Sequence, residues 1–296
     1  MAETKTPAHP GPTKVPVTID LRSVSRVGAR PSLIDYIVSL WNYRHFVLYD
    51  AKARVQSKNK RDRLGSAWLL LDPLLNGLGY FLIFGLLLNS SRGIENFLGY
   101  LIIGIFMFQM SSRSIVGTAR IISANQNVIQ AFNFPRAALA LAVNIRELIA
   151  NVPVLLMMLL LVLLIPPSEP ISLLWFLLIP IVLLQVVFNL GIGLILAPLV
   201  AKVNDLLHLI SFFMRFWLFA SCVMFSIERY AQWPVIQKIV EINPLYIIIS
   251  MARDAILYNQ MPMWQHWAGL GAWALGAISV GTVIFWKGEE SYGRDE

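Results

Sequence analysis

Six runs of about twenty apolar residues, at about 68–88, 97–118, 141–165, 172–201, 206–226 and 267–286, leave this chain few ways to fold. A run of that length crosses a hydrocarbon layer about 30 Å thick as an α-helix, and inside that layer the backbone must satisfy its own hydrogen bonds. A closed β-barrel would need many strands of alternating polarity, which are not visible. Composition agrees: 57% of the 296 residues are hydrophobic and 14% are charged, whereas a soluble domain carries about a quarter charged residues. The expected fold is an all-α integral membrane protein with six transmembrane helices.

Lys and Arg set the orientation. Twelve precede the first run: Lys5, Lys14, Arg22, Arg26, Arg30, Arg44, Lys52, Arg54, Lys58, Lys60, Arg61 and Arg63. A cytoplasmic N-terminus puts these inside with Arg113, Arg120, Arg136, Lys202, Lys287 and Arg294, and leaves Arg92, Arg229, Lys238 and Arg253 outside. Eighteen against four places both termini in the cytoplasm. The net charge of +7 is mostly this asymmetry, so anionic lipid headgroups rather than nucleic acid are the expected partner. Residues 1–30, with Pro7, Pro10, Gly11, Pro12 and Pro16, lack the apolar core of a signal peptide and read as a disordered cytoplasmic tail.

From Pro31 to about Ser57 apolar residues recur at three- and four-residue steps, which predicts an amphipathic helix on the cytoplasmic membrane surface. Ser32 and Asp35 fit a capping box at its start. The run Lys58 to Leu75 then dives into the bilayer: a basic cluster at the headgroups, Gly65 for a sharp bend, Trp68 at interface depth and Pro73 in the first turns. Asp72 is either a carboxylate snorkelling to the interface or a polar contact between helices.

Between the second and third runs, residues 119–139 are too polar for lipid and too patterned for a plain loop. Asn125, Asn127, Val128, Ile129 and Phe132 mark a short helix with one apolar face, either a docking surface or an interfacial connector. Arg146 and Glu147 are adjacent, so each is expected to need a separate partner or access to water. Gly191, Gly193 and Pro198 in the fourth run indicate close helix packing.

The fifth run carries the most unusual content. It holds Arg215 near its middle, with Phe212, Phe213, Phe216, Trp217 and Phe219 around it. A guanidinium at the bilayer centre costs about 2.5–3.5 kcal/mol on insertion scales, so this helix should face something other than lipid. The segment 227–266 that follows is divided by Pro234, Pro244 and Pro262 into two short helices at about 235–242 and 245–258. Asn243, Pro244, Tyr246, Arg253 and Asp254 lie there. Apolar pieces of this length re-enter the membrane only when buried in protein or lining a cavity, which makes the segment a candidate outer gate.

Chemistry-bearing motifs are sparse. There is no G-x-x-x-x-G-K-[ST] loop and no Gly-x-Ser-x-Gly elbow. His9, His45, His208 and His266 have no metal-ligand spacing, and Cys222 is the lone cysteine. No catalytic or metal site is expected. A membrane-bound transferase acting on lipid-linked sugars through scattered polar residues is the alternative from another class.

Three stretches carry a resemblance. Leu64-Gly65 with Trp68 and Pro73, residues Asn127 through Phe134-Pro135-Arg136, and Asn243-Pro244-Leu245-Tyr246 with Arg253-Asp254 occur in this order between six spans. So arranged, they resemble the membrane subunit of ATP-binding-cassette exporters for polysaccharides, the O-antigen, teichoic acid and galactan group. In overall similarity the chain is most like actinobacterial galactan exporters. The resemblance covers about residues 32–286 and divides the chain into a tail (1–30), an interface helix with a basic linker (31–64) and a permease domain (65–296).

It implies a homodimer of this chain with two copies of a separate ATPase, which would bind the ATP and Mg for which this chain has no loop. It implies that the helix at about 119–136 couples to that ATPase, and that the first and fifth spans form the path between protomers. On this likeness Phe212, Phe213, Arg215, Phe216, Trp217 and Phe219 line the path of a polymer carried on a polyprenyl pyrophosphate. Lys58, Lys60, Arg61 and Arg63 are either a pyrophosphate entrance or simple membrane anchors. Export of a small molecule is the nearer alternative.

Overall fold

The computed structural model describes residues 32–57, 65–68, 71, 74–75, 78–79, 82–83, 94, 96–132, 134–164, 169–290 and 292. The proline-rich tail, most of the first expected span with Asp72 and Pro73, and the basic residues Lys58, Lys60, Arg61 and Arg63 lie outside them. Among the described residues the secondary structure is entirely helical.

Ser32 starts α1 (Leu33–Asn42): its Oγ accepts from Asp35 N–H at 3.2 Å and donates to the Asp35 carboxylate at 2.6 Å. Tyr36 is buried, while Ile34, Ile37, Val38 and Trp41 are bare, so one side of α1 is held by the body and an apolar side is left exposed. The single helix expected from 31 to 57 is in fact two. Its break at Tyr43 lets that ring join Phe46 and Phe134, with centroids 6.1–6.4 Å apart. After the break, α2 (Arg44–Ser57) turns to protein, seating Val47 against Ala138 and Ala142.

The centre of the bundle is α3 (Phe97–Ala119), begun by Asn96, whose Oδ1 accepts from Gly99 N–H. In its most apolar stretch 72% is buried, against 28–33% for the other three long apolar helices. A helix enclosed by protein has no need to be apolar all round, and α3 accordingly carries Ser111, Ser114 and Thr118.

The short α4 (Ile121–Ala124) and α5 (Gln126–Ala131) follow where one coupling helix was expected, and then α6 (Ala137–Leu164) returns across the bundle. A 3-10 turn at Leu173–Leu177 leads into α7 (Leu178–Lys202). Gln185 of α7 donates to Met107 O and Ser111 Oγ of α3, and Asn144 of α6 donates to Thr118 Oγ1. These are interhelical polar contacts where water is absent.

The last long helix, α11 (Trp264–Lys287), lies against α7. A Cβ on Gly191 would sit 2.4 Å from the Ala277 backbone, and one on Gly281 would sit 2.4 Å from Gly191 O. Here two backbones touch, which is the close packing expected for Gly191. Gly193 instead makes room for the Thr118 side chain of α3.

Four of the six expected spans therefore appear as long apolar helices: α3, α6, α7 with its leading turn, and α11. The fifth is shorter. Its helix, α8 (Leu206–Ala220), has 15 residues, or about 22 Å at 1.5 Å per residue. Beyond it come α9 (Pro234–Ile242) and α10 (Pro244–Ile256), a pair bent by 81° and close to the limits the prolines predicted. At one end of the bundle, α1, α4, α5 and the close of α11 gather, with Tyr36, Ile121, Ile129, Phe285 and Tyr292 in one apolar cluster. The other end holds α9 and α10.

Candidate functional site

Two buried side chains fix α8. Met214 and Leu218, four apart and so on one face, pack into the core that α3 centres. The opposite face is left bare: Leu209, Phe212, Phe213, Phe216 and Phe219 are all exposed. Phe212 and Phe216 meet at 4.8 Å between ring centroids with planes tilted by 59°, and Phe212 and Phe213 at 6.3 Å edge to face, so three rings form one aromatic cluster on the helix. Arg215 is exposed beside them and makes no hydrogen bond or ion pair among the described residues. Trp217 departs from the expected set. Its ring is half-buried and its Nε1 donates to Asn243 Oδ1 at 2.8 Å, because the rotation that exposes Phe216 turns the next residue inward.

What halts α8 is built at the α10 end. After Ala220 the chain leaves the helix through Ser221–Met224, with Cys222 at φ 50°, and these four residues are buried. Unwound backbone with buried carbonyls needs donors, and Arg253 of α10 supplies them. Its Nη1 donates to Cys222 O at 3.1 Å, and its Nη2 donates to Val223 O at 3.0 Å and to Tyr100 O at 3.1 Å. The guanidinium lies 3.2 Å over the Tyr100 ring, whose hydroxyl donates to Cys222 O and Phe225 O. Gly104 makes the room: a Cβ there would lie 2.6 Å from Arg253 Nη2.

Asn243 finishes the clamp. Its Oδ1 accepts from Leu245 N–H at the start of α10, and its Nδ2 donates to Ala220 O and Ser221 Oγ. Pro244 occupies the first turn of α10, where no N–H is needed. Tyr246 packs on Cys222 and Val240, and Asp254 is half-buried. Asn243 and Arg253, expected in an outer gate, are thus the fasteners of the α10 end of α8. Sequence reasoning missed Tyr100, Gly104 and Cys222, whose parts depend on contacts between residues far apart in the chain, 153 for Tyr100 with Arg253 and 31 for Cys222 with Arg253.

At the α1 end, Asn125 and Ile129 hold the short helices to the body. Asn125 Nδ2 donates to Ile121 O, and its Oδ1 accepts from Arg54 Nη2 at 3.3 Å. Ile129 is buried, whereas Asn127, Val128 and Phe132 face outward, Phe132 being 67% exposed. The five expected coupling residues therefore divide into two anchors and three presented side chains.

Nearby, Tyr36 OH donates to Glu289 Oε2 at 2.8 Å and Arg136 N–H donates to Glu289 Oε1 at 2.9 Å. Burial raises the Glu289 carboxyl above its ordinary range, and burial raises the Tyr36 phenol as well. Arg146 and Glu147 correct another expectation. They pair with each other at 3.1 Å, since a long guanidinium stem can fold back along the helix to its neighbour.

Among the described residues no group of three or more His, Cys, Asp or Glu could hold a metal. The arrangement offers surfaces and a clamp instead: a bare aromatic face, a fixed α10 end and a small presented loop. The family model for the ABC-2 type transporter matches residues 51–257, from within α2 to the residue after α10. The chain belongs to the ABC-2 type transporter family.

As an ABC-2 type transporter the chain is a multi-pass membrane protein of a family of transport membrane subunits, and the matched segment includes α8, the short helices α4 and α5, and the clamp. It is similar to the O-antigen export system permease protein RfbA of Myxococcus xanthus, 23% identical over 264 residues, 88% of this chain and 98% of that one. Two proteins of the same name from Klebsiella pneumoniae are 26% identical over 212 residues and 25% identical over 249. The first alignment covers 70% of this ABC-2 chain and 77% of the relative, the second 81% and 92%.

Proposed function

We propose that this chain is the membrane-spanning subunit of an ATP-driven exporter that moves a polysaccharide, carried on a polyprenyl pyrophosphate, out of the cytoplasm across the plasma membrane. In this reading two copies form six-span protomers around a shared path, with both termini in the cytoplasm. Two separate ATPase chains supply ATP and Mg binding. The cargo is a cell-wall polymer of the O-antigen or galactan type, with galactan favoured by the overall resemblance.

The observation that carries the reading is the bare face of α8. Lipid gives no reward for an exposed Arg215 beside Phe212, Phe216 and Phe219, but a glycan does. Flat rings stack on the apolar faces of sugars without fixing a register, so a polymer can slide over them, and a guanidinium offers donors to hydroxyls. The face of a second copy would close the other side of the path. The O-antigen permeases that align over 70–88% of the chain support the cargo class.

Asn127, Val128 and Phe132 are the side chains offered to the ATPase, and Asn243, Pro244, Tyr246, Arg253 and Asp254 govern the outer opening. Lys58, Lys60, Arg61 and Arg63 draw the pyrophosphate to the membrane surface by charge. Depleting the chain in its host and analysing lipid-linked glycan tests the whole reading. Full-length polymer should accumulate on the cytoplasmic side, and a cell without polymer overturns it in favour of a biosynthetic role.

A further inference from the structure

Three helices carry their own caps. Ser32, Asn96 and Asn243 each accept a backbone N–H at the start of α1, α3 and α10, the ordinary way to satisfy donors that have no partner inside a helix. The start of α6 is built differently. It reads Pro135-Arg136-Ala137, with no Ser, Thr, Asp or Asn at the capping position. The N–H groups there are met by side chains from far away in the chain. Arg136 N–H donates to Glu289 Oε1 at 2.9 Å across 153 residues, and Ala137 N–H donates to Tyr36 Oη at 3.1 Å across 101. Tyr36 in turn donates to Glu289 Oε2 at 2.8 Å, and the Arg136 guanidinium donates to Glu289 O. One carboxylate from beyond α11 and one hydroxyl from α1 therefore cap α6 together. A negative charge in that position also suits the helix dipole.

Both suppliers are seated for this contact. After α11 the chain turns at Gly288, where a Cβ would strike the Tyr292 ring, and Tyr292 lies against Phe285 with centroids 5.0 Å apart and its hydroxyl donating to Phe285 O. Glu289, inside this fold-back, is 7% exposed. On the other side, Tyr36 is the one buried residue of α1. A cavity of about 260 Å³, lined by Tyr36, Ile37, Leu40, Leu141, Leu194 and Phe285, lies between α1 and the bundle. Tyr36, rather than close packing along its length, holds α1 in place.

A tail that only covered a surface could do so with apolar side chains, whereas a buried carboxylate costs energy unless its bonds are made. The bonds of Glu289 go to the residues that follow the presented loop. Phe134, in the same stretch, packs against Tyr43 and Phe46. The loop with Asn127, Val128 and Phe132 is thus held at its entry by Asn125 and Ile129 and at its exit by Phe134 and Arg136.

We infer that Glu289 is a positioning residue for the presented loop: with the Tyr36 hydroxyl, its carboxylate caps α6 and ties the exit of the loop to α1 and to the end of α11. A push on Phe132 then carries α1 and α11 with it; without the clasp the loop moves alone. This rests on the export reading for the use of the loop, but not for the clasp itself.

Hydrogen exchange of the purified full chain in phosphatidylcholine nanodiscs tests the clasp. Glu289→Ala and Tyr36→Phe should each speed exchange about tenfold in peptides from α1, α5 and the first turn of α6, while α10 keeps its wild-type protection. Both changes together should add little to either alone, since they open one clasp. Glu289→Gln, which keeps an oxygen for Arg136 N–H, should recover part of the protection. In the host, polymer exported per copy of the chain should fall severalfold in Glu289→Ala and recover in part in Glu289→Gln, with Lys238→Gln on α9 matching the wild type in both assays.

Exchange as slow as the wild type at all three places overturns the clasp. An equal rise in α10 would make Glu289 a general contact of the fold, and a local rise with undiminished export would detach the clasp from the loop; either result overturns the positioning role. Exchange is read without any transport, so these failures leave the export reading standing, and a failure of that reading on depletion leaves the clasp to be judged by exchange.

Discussion

At its α10 end α8 meets one guanidinium, and at its other end it borders a cavity lined by four arginines. Arg253 is 3% exposed and spends its donors on the carbonyls of Tyr100, Cys222 and Val223, with the Tyr100 ring beneath it. Arg113, Arg120 and Arg146 instead surround a cavity, and Arg120 reaches outward without a described partner. The same side chain serves opposite ends. Where every donor meets a backbone oxygen, arginine fastens an unwound strand; along the cavity Arg113 donates to Asn151 and Arg146 pairs with Glu147, while Arg120 reaches outward. The difference teaches that hydrogen-bond accounting, not residue type or burial alone, separates an arginine that fastens the fold from one that does not.

Substitution should separate the two environments, and the largest effect belongs to the fastener. Arg253→Ala leaves several buried carbonyls without donors and should lower stability by about 3 kcal/mol or more, read as a fall in the unfolding midpoint of the detergent-purified chain. An unchanged midpoint would break the comparison. Gly104→Ala should lower it by about 1–3 kcal/mol, since the new Cβ meets Arg253 Nη2 and Val223. Asn243→Ala removes the cap of α10 and a partner of Trp217, and should lose about 1–2 kcal/mol.

On the open side the sign of the evidence reverses. Phe216→Ala should leave stability within about 0.5 kcal/mol, since the ring is exposed, yet export of lipid-linked polymer should fall severalfold. Arg120→Gln should change the midpoint least of all, since the side chain is exposed. A large midpoint loss in Arg120→Gln would mean that the cavity is held shut by contacts, as Arg253 is.

Much of this architecture was legible in the chain. Ser32 and Asp35 gave the start of α1, Pro234 and Pro244 gave the limits of α9 and α10, and the apolar runs gave the four long helices, because these signals are local. The bare aromatics of α8 were legible too, although Trp217 was not separable from Phe216: the turn of the helix and Asn243, 26 residues on, decide its role. The arginine cavity was hidden for a related reason. Its side chains come from four helices, and Arg113 and Arg120 read singly as positive-inside anchors. Their seven-residue spacing along α3 and its cap, with Arg146 three helices on in the chain, was the available signal. Nor could hydropathy alone single out α3 as the centre, since apolar residues suit lipid and protein interiors alike.

The contact between Gly191 and Gly281 has a mechanical consequence. Two helices whose backbones meet without intervening side chains cannot slide past each other without first separating, so α7 and α11 act as a keel. Alternation between inward and outward states would then be carried by the articulations elsewhere: the break at Tyr43, the bend between α9 and α10, and the unwound turn that Arg253 fastens.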